Sequence, residues 1–327
     1  MAVFFFVVGL EIKGEVTTGG PGARRSLALP TLAALGGMVV PALLFLAVVG
    51  AGPGSAGWGI PMATDIAFAV GVLSLLGSRV PSSLKSFLLT LAVVDDIGAI
   101  VVIAVVYSQG IALGWLAAAL LTVGAVVTAR WCGVRRPIGY FPLALACWYC
   151  TYQAGIHPTI AAVALGLLVP GGPVVGGSTA EGLEARLHAW SSYVVVPLFA
   201  LANAGIALSG AALAEAARSR VTWAVAAGLF VGKATGITAG SWVALRSRVG
   251  RLPSGARPAH IVGTGGLGGI GFTVSLFITN LAFTSEHLQD QAKVGILFGS
   301  TVSAVTGVAV LLRLGARRRS RRLEAPG

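Results

Sequence analysis

A chain of 327 residues that is 56% hydrophobic and only 10% charged, with mean hydropathy +0.87, is not an ordinary soluble domain, in which about a quarter of the residues carry charge. Its net charge of +12 would suit a nucleic-acid partner, but the basic residues fall in short stretches between apolar runs, which excludes that partner and gives the charge pattern of membrane topology. The fold class is therefore an all-α polytopic membrane protein, one membrane domain over 1–327 with the lipid bilayer as its surroundings.

The chain opens on Met1-Ala2-Val3-Phe4-Phe5-Phe6, and residues 1–12 read as the second half of a spanning helix, since about 17–25 residues are needed to cross. Apolar runs follow at 27–49, 58–77, 84–107, 111–129, 138–153, 156–170, 186–208, 221–245, 259–283 and 290–312. With the partial first helix they give about eleven transmembrane helices. No cleavable signal peptide is evident. Cys147 and Cys150 form a C-x-x-C inside an apolar run without a βαβ context, so they and Cys132 read as membrane thiols rather than a redox pair. The 46 glycines suit close helix approach and broken helices.

The basic residues fix an orientation. With the 313–327 tail in the cytoplasm, Arg313 and the five further tail arginines share a side with Lys13, Arg24, Arg25, Arg79, Lys85, Arg130, Arg135, Arg136, Arg186, Arg246, Arg248, Arg251 and Arg257. That side holds 19 of the 23 basic residues and the other holds Arg218, Arg220 and Lys293. One miscounted span would scramble this split.

Two runs are interrupted. In 58–77, Pro61 cannot donate an intrahelical hydrogen bond, and Thr64-Asp65 follow at once. In 263–271, Gly-Thr-Gly-Gly-Leu-Gly-Gly-Ile-Gly, a regular helix is costly, at about 1 kcal/mol per glycine relative to alanine. A proline kink and a glycine packing face are the plainer readings. Each run is, however, the middle of three consecutive spans, in 27–107 and 221–312, and the two lie seven spans apart and so run in opposite directions. Paired interruptions of this kind point to inverted repeats around a central site, with 111–208 as linking helices. The broken helices are expected to cross at mid-membrane, where irregular backbone survives only in protein or along a cavity.

Four charges lie deep in the runs: Asp65, Asp95, Asp96 and Lys233. As a helix, 84–107 spans roughly 36 Å, enough for a hydrocarbon core of about 30 Å, and places Asp95 and Asp96 at its centre. Each ionised aspartate there costs at least about 2.5 kcal/mol, so the pair reads as functional. Consecutive positions differ by about 100°, so one aspartate can pair with Lys233 while the other faces an ion cavity. Asp65, beside Thr64 at a helix break, can offset the positive ends of half-helices. Three carboxylates, a hydroxyl and free carbonyls make a hard oxygen site suited to Na⁺, Li⁺ and protons, with no soft ligand for copper or zinc. A carboxylate that takes either Na⁺ or H⁺, but not both, exchanges the two.

These residues carry a resemblance. Val-Gly-Leu-Glu-Ile-Lys (8–13), Ile-Pro-Met-Ala-Thr-Asp-Ile-Ala-Phe (60–68), Leu-Ala-Val-Val-Asp-Asp-Ile-Gly-Ala-Ile (91–100), Gly-Ile-His-Pro-Thr-Ile-Ala (155–161), Pro-Leu-Phe-Ala-Leu-Ala-Asn-Ala-Gly (197–205), Gly-Lys (232–233) and Gly-Ile-Gly-Phe-Thr-Val-Ser-Leu-Phe-Ile (269–278) resemble, in order and over nearly the whole chain, the NhaA-type Na⁺/H⁺ antiporters. The repeat reading draws on transporters that include this family and is not independent of the resemblance. The resemblance implies a bacterial inner-membrane, electrogenic, pH-regulated exchanger of Na⁺ or Li⁺ for H⁺ that works without a cofactor. It implies Asp96 as main Na⁺ ligand, Asp95 as proton carrier paired with Lys233, and Thr64 and Asp65 at the crossing of the broken helices. Glu11, Glu184 and His188 match a cytoplasmic pH-responsive cluster, although from the residues alone Glu184 and His188 are equally a solvated i,i+4 pair. His157 before Pro158 reads as structural.

The chain departs from the family at Ala234-Thr235, where Pro-Leu is usual, and at Gly14, where a basic residue is common. The family's first helix, the loop after it and the start of the second are absent, which suggests a different start codon or a truncation and weakens the expectation of a homodimer. Two other readings compete. An intramembrane aspartyl protease would use Asp65 and Asp96, but leaves Lys233 without a role. A non-transporting truncated homologue rests on the missing N-terminal segment.

Overall fold

The computed structural model describes residues 1–18, 23–108, 110–134, 137–169, 180–205 and 210–323. Among these residues every regular element is helical, as a chain needs if it must satisfy its backbone inside lipid. The helices are α1 (Ala2–Thr18), α2 (Ala23–Val49), a 3₁₀ segment (Pro53–Met62) leading to α3 (Ile66–Leu75), α4 (Ser83–Val106), α5 (Leu113–Trp131), α6 (Phe141–Gln153) and α7 (Pro158–Leu168). There follow α8 (Ala180–Trp190), joined by a π turn to α9 (Val196–Asn203), then α10 (Gly210–Arg218) and α11 (Arg220–Ala227). A second π turn, Gly228–Gly232, leads into α12 (Lys233–Arg246), and α13 (Pro258–Gly268), α14 (Phe272–Ala282) and α15 (Glu286–Leu323) complete the order.

Every apolar run of the sequence is a helix or a helix pair. Among the described residues five helices are long and apolar enough to cross a membrane, and the bent pairs Pro53–Met62 with α3 (42°) and α13 with α14 (49°) raise this to seven. Among the shorter helices α7 is also apolar. Helix α10 is an addition: its alanine-rich, mildly polar sequence reads as a loop, yet Ala216 is buried. Arg135, Arg136 and the last four residues of the basic tail lie outside the described residues, as do the side chains of Arg24, Arg25 and 317–322.

The chain divides into two compact units. The first comprises Met1–Gly19 and Ile100–Leu201. In it α1 meets α7 backbone to backbone: a Cβ on Gly9 would lie 2.5 Å from the Val163 carbonyl oxygen, and one on Gly166 2.5 Å from that of Phe6. Val126, Cys147, Ala161 and Leu165 form a core beside this contact. The three cysteines are free thiols. His157 caps the N-terminus of α7, with Nδ1 accepting from Thr159 N at 3.4 Å, the structural place its sequence suggests.

The second unit comprises Gly20–Ala99 and Ala202–Gly327, and holds both bent pairs. Its centre is the seam between α2 and the continuous α11–α12 helix. Glycines at 228, 232, 236 and 240 recur every four residues, on one face of that helix. A Cβ at Gly236 would stand 2.2 Å from the Gly36 carbonyl oxygen, and one at Gly240 2.1 Å from that of Leu32. Small residues let membrane helices approach this closely, and the contact fixes where Lys233 points. Gly236→Val, which forces the two backbones apart, is expected to destabilise the protein by roughly 3 kcal/mol, at the upper end for overpacking. A thermal shift read by size-exclusion in detergent checks this; an unchanged melting temperature would show that the seam gives way at no cost.

Candidate functional site

The breaks in the two bent pairs meet. Ala63, Thr64 and Asp65 separate the 3₁₀ segment from α3, and Gly269, Ile270 and Gly271 separate α13 from α14. The glycine run therefore divides differently from the sequence expectation. Gly263, Gly265, Gly266 and Gly268 stay helical in α13, and only its last three residues leave the helix. Packing offsets the glycine penalty: a Cβ at Gly266 would lie 2.9 Å from Gly307 Cα of α15, and one at Gly265 3.3 Å from the Ala234 carbonyl oxygen. These glycines bring α13 against two neighbours at once.

Where helices break, orphan N–H and C=O groups must find partners, and here they find each other and a set of hydroxyls. Asp65 N donates to the Ile270 carbonyl at 2.6 Å. Asp65 Oδ1 accepts from Phe68 N at 3.2 Å, capping α3. Its Oδ2 accepts from Thr273 N at 3.0 Å and the Thr273 hydroxyl at 2.5 Å, in the first turn of α14. One buried carboxylate thus closes two half-helix N-termini, each the positive end of a helix dipole. On α15, the Ser300 hydroxyl accepts from Gly271 N at 3.2 Å and the Ser303 hydroxyl donates to the Gly266 carbonyl at 2.8 Å. The Ser275 hydroxyl donates to the Ile60 carbonyl at 2.7 Å. Thr273, Ser275, Ser300 and Ser303 escape a reading of the sequence because a hydroxyl in an apolar helix more often back-bonds within its own helix, as Thr301 and Thr306 do.

Beside this junction lie the deep charges. Asp95, Asp96 and Lys233 have no exposed surface at all. Lys233 Nζ donates to Asp95 Oδ2 at 2.5 Å. The Thr64 hydroxyl lies 2.7 Å from that same Oδ2 and 2.7 Å from the Gly268 carbonyl, so its single proton serves two acceptors and ties the aspartate to the end of α13. Asp96 occupies the next position of α4, about 100° round the helix, and acts electrostatically on Lys233. The π turn Gly228–Gly232 ends just before Lys233. A π turn re-aims the side chains that follow it, and such turns concentrate at functional sites. All five residues singled out in the sequence, Thr64, Asp65, Asp95, Asp96 and Lys233, therefore fall within the second unit around the two breaks. The arrangement offers two adjacent carboxylates, one neutralised by an ammonium, together with a hydroxyl and a helix-end carbonyl. That set of hard oxygens can exchange a small cation for protons.

In the first unit, His188 Nε2 lies 3.6 Å from Glu11 Oε1, and Glu184 Oε2 lies 3.8 Å from where a Cβ on Gly14 would be. Glu11, Glu184 and His188 are thus gathered where α1 faces α8. The bare backbone at Gly14 leaves room beside the Glu184 carboxylate. Lys13, on the same helix, donates to the Val169 carbonyl.

Known proteins resemble this chain over nearly its whole length. The family model for Na⁺/H⁺ antiporter 1 matches residues 1–311. The chain is 48% identical over 315 residues to Na⁺/H⁺ antiporter NhaA 2 of Pseudomonas syringae pv. tomato, covering 95% of this chain and 80% of that one. It is 46% identical over 314 residues to Na⁺/H⁺ antiporter NhaA of Escherichia coli (strain UTI89), covering 95% and 81%, and 45% identical over 349 residues to Na⁺/H⁺ antiporter NhaA 3 of Frankia alni, covering 97% and 75%.

Proposed function

The chain belongs to the Na⁺/H⁺ antiporter 1 family, and we propose on that premise that it is an electrogenic antiporter of the bacterial inner membrane, expelling Na⁺ or Li⁺ and admitting more protons than ions. It is a multi-pass membrane protein, and its substrates are the ions themselves, so the reading needs no cofactor. The observation that carries it is the buried cluster in which Asp95 bonds Lys233 while Asp96 lies on the next helical position.

The working cycle follows from the charges. With its proton lost, Asp96 is the main ligand for Na⁺, helped by Asp95, the Thr64 hydroxyl and a helix-end carbonyl. Protonation of the carboxylates removes the charge that holds the ion and releases it. Because a fully buried carboxylate cannot be both protonated and a good cation ligand, Na⁺ and H⁺ compete for one site. Lys233 balances the negative charge of Asp95 when the site holds no ion. Asp65 takes no ion in this account: it is the counter-charge that keeps two positive helix ends from repelling the cation. Alternating access then tilts the two inverted repeats, 27–107 and 221–312, about this junction, with the basic C-terminal tail in the cytoplasm. Glu11, Glu184 and His188 supply the pH response, and a homodimer is the proposed assembly.

The protease alternative requires Asp65 and Asp96 to activate one water between them. Both oxygens of Asp65 are instead taken by the helix ends they cap, which disfavours it.

The test is Na⁺-induced dequenching of a pH dye in everted vesicles from an antiporter-deficient host. Rapid dequenching on adding Na⁺ or Li⁺, and none on adding K⁺, is the expected result. A flat trace with the protein present in the membrane would refute the reading. Repeating the assay across pH and under an imposed potential tests pH regulation and electrogenicity separately.

A further inference from the structure

The motif at 197–205 takes no part in the ion site, yet its last residues make two bonds that bear on the cycle. Helix α9 ends at Asn203, and the chain passes from the first unit into the second between Leu201 and Ala202. Just past that point, Asn280 Nδ2, in the last turn of α14, donates to Asn203 Oδ1 at 2.8 Å. Two residues on, the Gly205 carbonyl accepts from Lys293 Nζ of α15 at 3.4 Å, and the same ammonium donates to Asp290 at 3.2 Å. The Lys293 side chain is only 13% exposed, so it is held against its own helix while it reaches Gly205.

These bonds lie by the corner between α14 and α15, at the opposite end of α15 from the basic tail. Other bonds at this corner are of a different kind. The Ser219 hydroxyl, which caps α11, donates to Gln291 Oε1 at 2.5 Å, and the Thr222 hydroxyl donates to the Gln291 carbonyl at 2.9 Å. They join the start of the second repeat to its end, so they travel with it. The Asn203 and Gly205 bonds instead run from the end of a linking helix to the repeat, and a rigid tilt of the repeat against the linking helices breaks them. Asn280 and Gly205 are exposed, so water takes over their hydrogen bonding once they part. The lever reaches the site. Asn280 lies seven residues, about 10 Å, along the unbroken α14 from Thr273, whose N–H and hydroxyl hold Asp65. With both bonds made, Asp95, Asp96 and Lys233 have no exposed surface.

We propose that the Asn203–Asn280 and Gly205–Lys293 bonds are a latch that holds the second repeat to the end of α9 while the ion site is closed, and that the latch opens in every exchange cycle. Asn203, Asn280 and Lys293 touch no transported ion. They are positioning residues, and they mark the line along which the moving part separates from the linking helices. The inference rests on the exchange reading and the tilting repeats above.

The test uses a parent in which Cys132, Cys147 and Cys150 are replaced by serine, and two cysteine pairs built on it. One pair, Asn203→Cys with Asn280→Cys, spans the latch. The other, Ser219→Cys with Gln291→Cys, spans the contact that travels with the repeat. Each is treated with a short, membrane-permeant bis-methanethiosulfonate, bridging is confirmed by mass spectrometry, and exchange is read by dequenching before and after reduction. Bridging the latch pair should stop turnover and reduction should restore it, whereas bridging the second pair should leave turnover unchanged. A bridged latch pair that exchanges at the unbridged rate, a reagent that fails to bridge it, or equal arrest by both bridges would overturn the proposal. Should the parent or either pair be inactive, Asn280→Ala in the natural protein decides. Loss of one net hydrogen bond should speed hydrogen–deuterium exchange in the last turn of α9 about fivefold and leave the start of α11 as it was. No change at α9 would overturn the proposal as well. A natural protein that is itself silent in the dequenching assay would instead refute the exchange reading beneath it.

Discussion

Asp96→Asn is expected to abolish Na⁺-dependent proton movement, with a loss of at least about thirtyfold, since removing one partner of a fully desolvated charged contact costs some 2–5 kcal/mol and each 1.4 kcal/mol is tenfold. The substitution keeps the size of the side chain and removes only its charge and its ability to carry a proton. Lys233 retains its bond to Asp95 and Thr64 retains both of its contacts, so the fold around the site should hold. The variant should therefore reach the membrane and melt near the temperature of the natural protein while showing no dequenching and no calorimetric Na⁺ binding. The two readouts separate chemistry from folding. Normal exchange in a well-folded Asp96→Asn protein would mean that Asp96 is not the ion's ligand, and the cycle proposed above would have to be rebuilt on Asp95 alone.

The parts of this site that could be read from the sequence are those where lipid makes the residue expensive. Asp95, Asp96, Lys233 and Asp65 stand out because a charge at mid-membrane needs a reason, and the broken segments stand out because Pro61 and the glycine run interrupt otherwise apolar stretches. What could not be read is the set of partners. Nothing in the sequence separates Ser300 and Ser303, which hold the α13–α14 break, from Thr301 and Thr306, which bond their own helix. The difference is which face of α15 meets the break, a tertiary fact. The glycine run shows the same limit from the other direction. Propensity counts each glycine against a helix, whereas tight packing against α12 and α15 keeps four of the six helical. Asp65 lies between these cases. Its depth marks it as important, but only the geometry shows that both its oxygens are committed to helix ends.

Asp95→Asn carries the largest expected effect on stability. Among the described residues the carboxylate is the one ion-pair partner of Lys233, and neither side chain has any exposed surface. With asparagine in its place the ammonium loses its hydrogen-bonded carboxylate and keeps only the more distant Asp96, and breaking a buried pair from one side costs about 3–5 kcal/mol, much of it the burial of the remaining charge. A melting temperature well below that of the natural protein is expected, together with loss of electrogenic exchange, because the proton carrier opposite Lys233 is gone. The double variant Asp95→Asn with Lys233→Met separates these two effects. Removing the stranded charge should recover most of the lost stability, since replacing both members of a buried pair by uncharged groups is often neutral. It should recover none of the electrogenic exchange. If the double variant melted as low as the single one, the destabilisation would come from Thr64 losing its acceptor and not from the charge of Lys233. If the single variant melted like the natural protein, Lys233 would have to be uncharged in the folded state. The pair would then be a hydrogen bond between neutral groups, and Lys233, rather than Asp95, would be the site that gains and loses the proton during exchange.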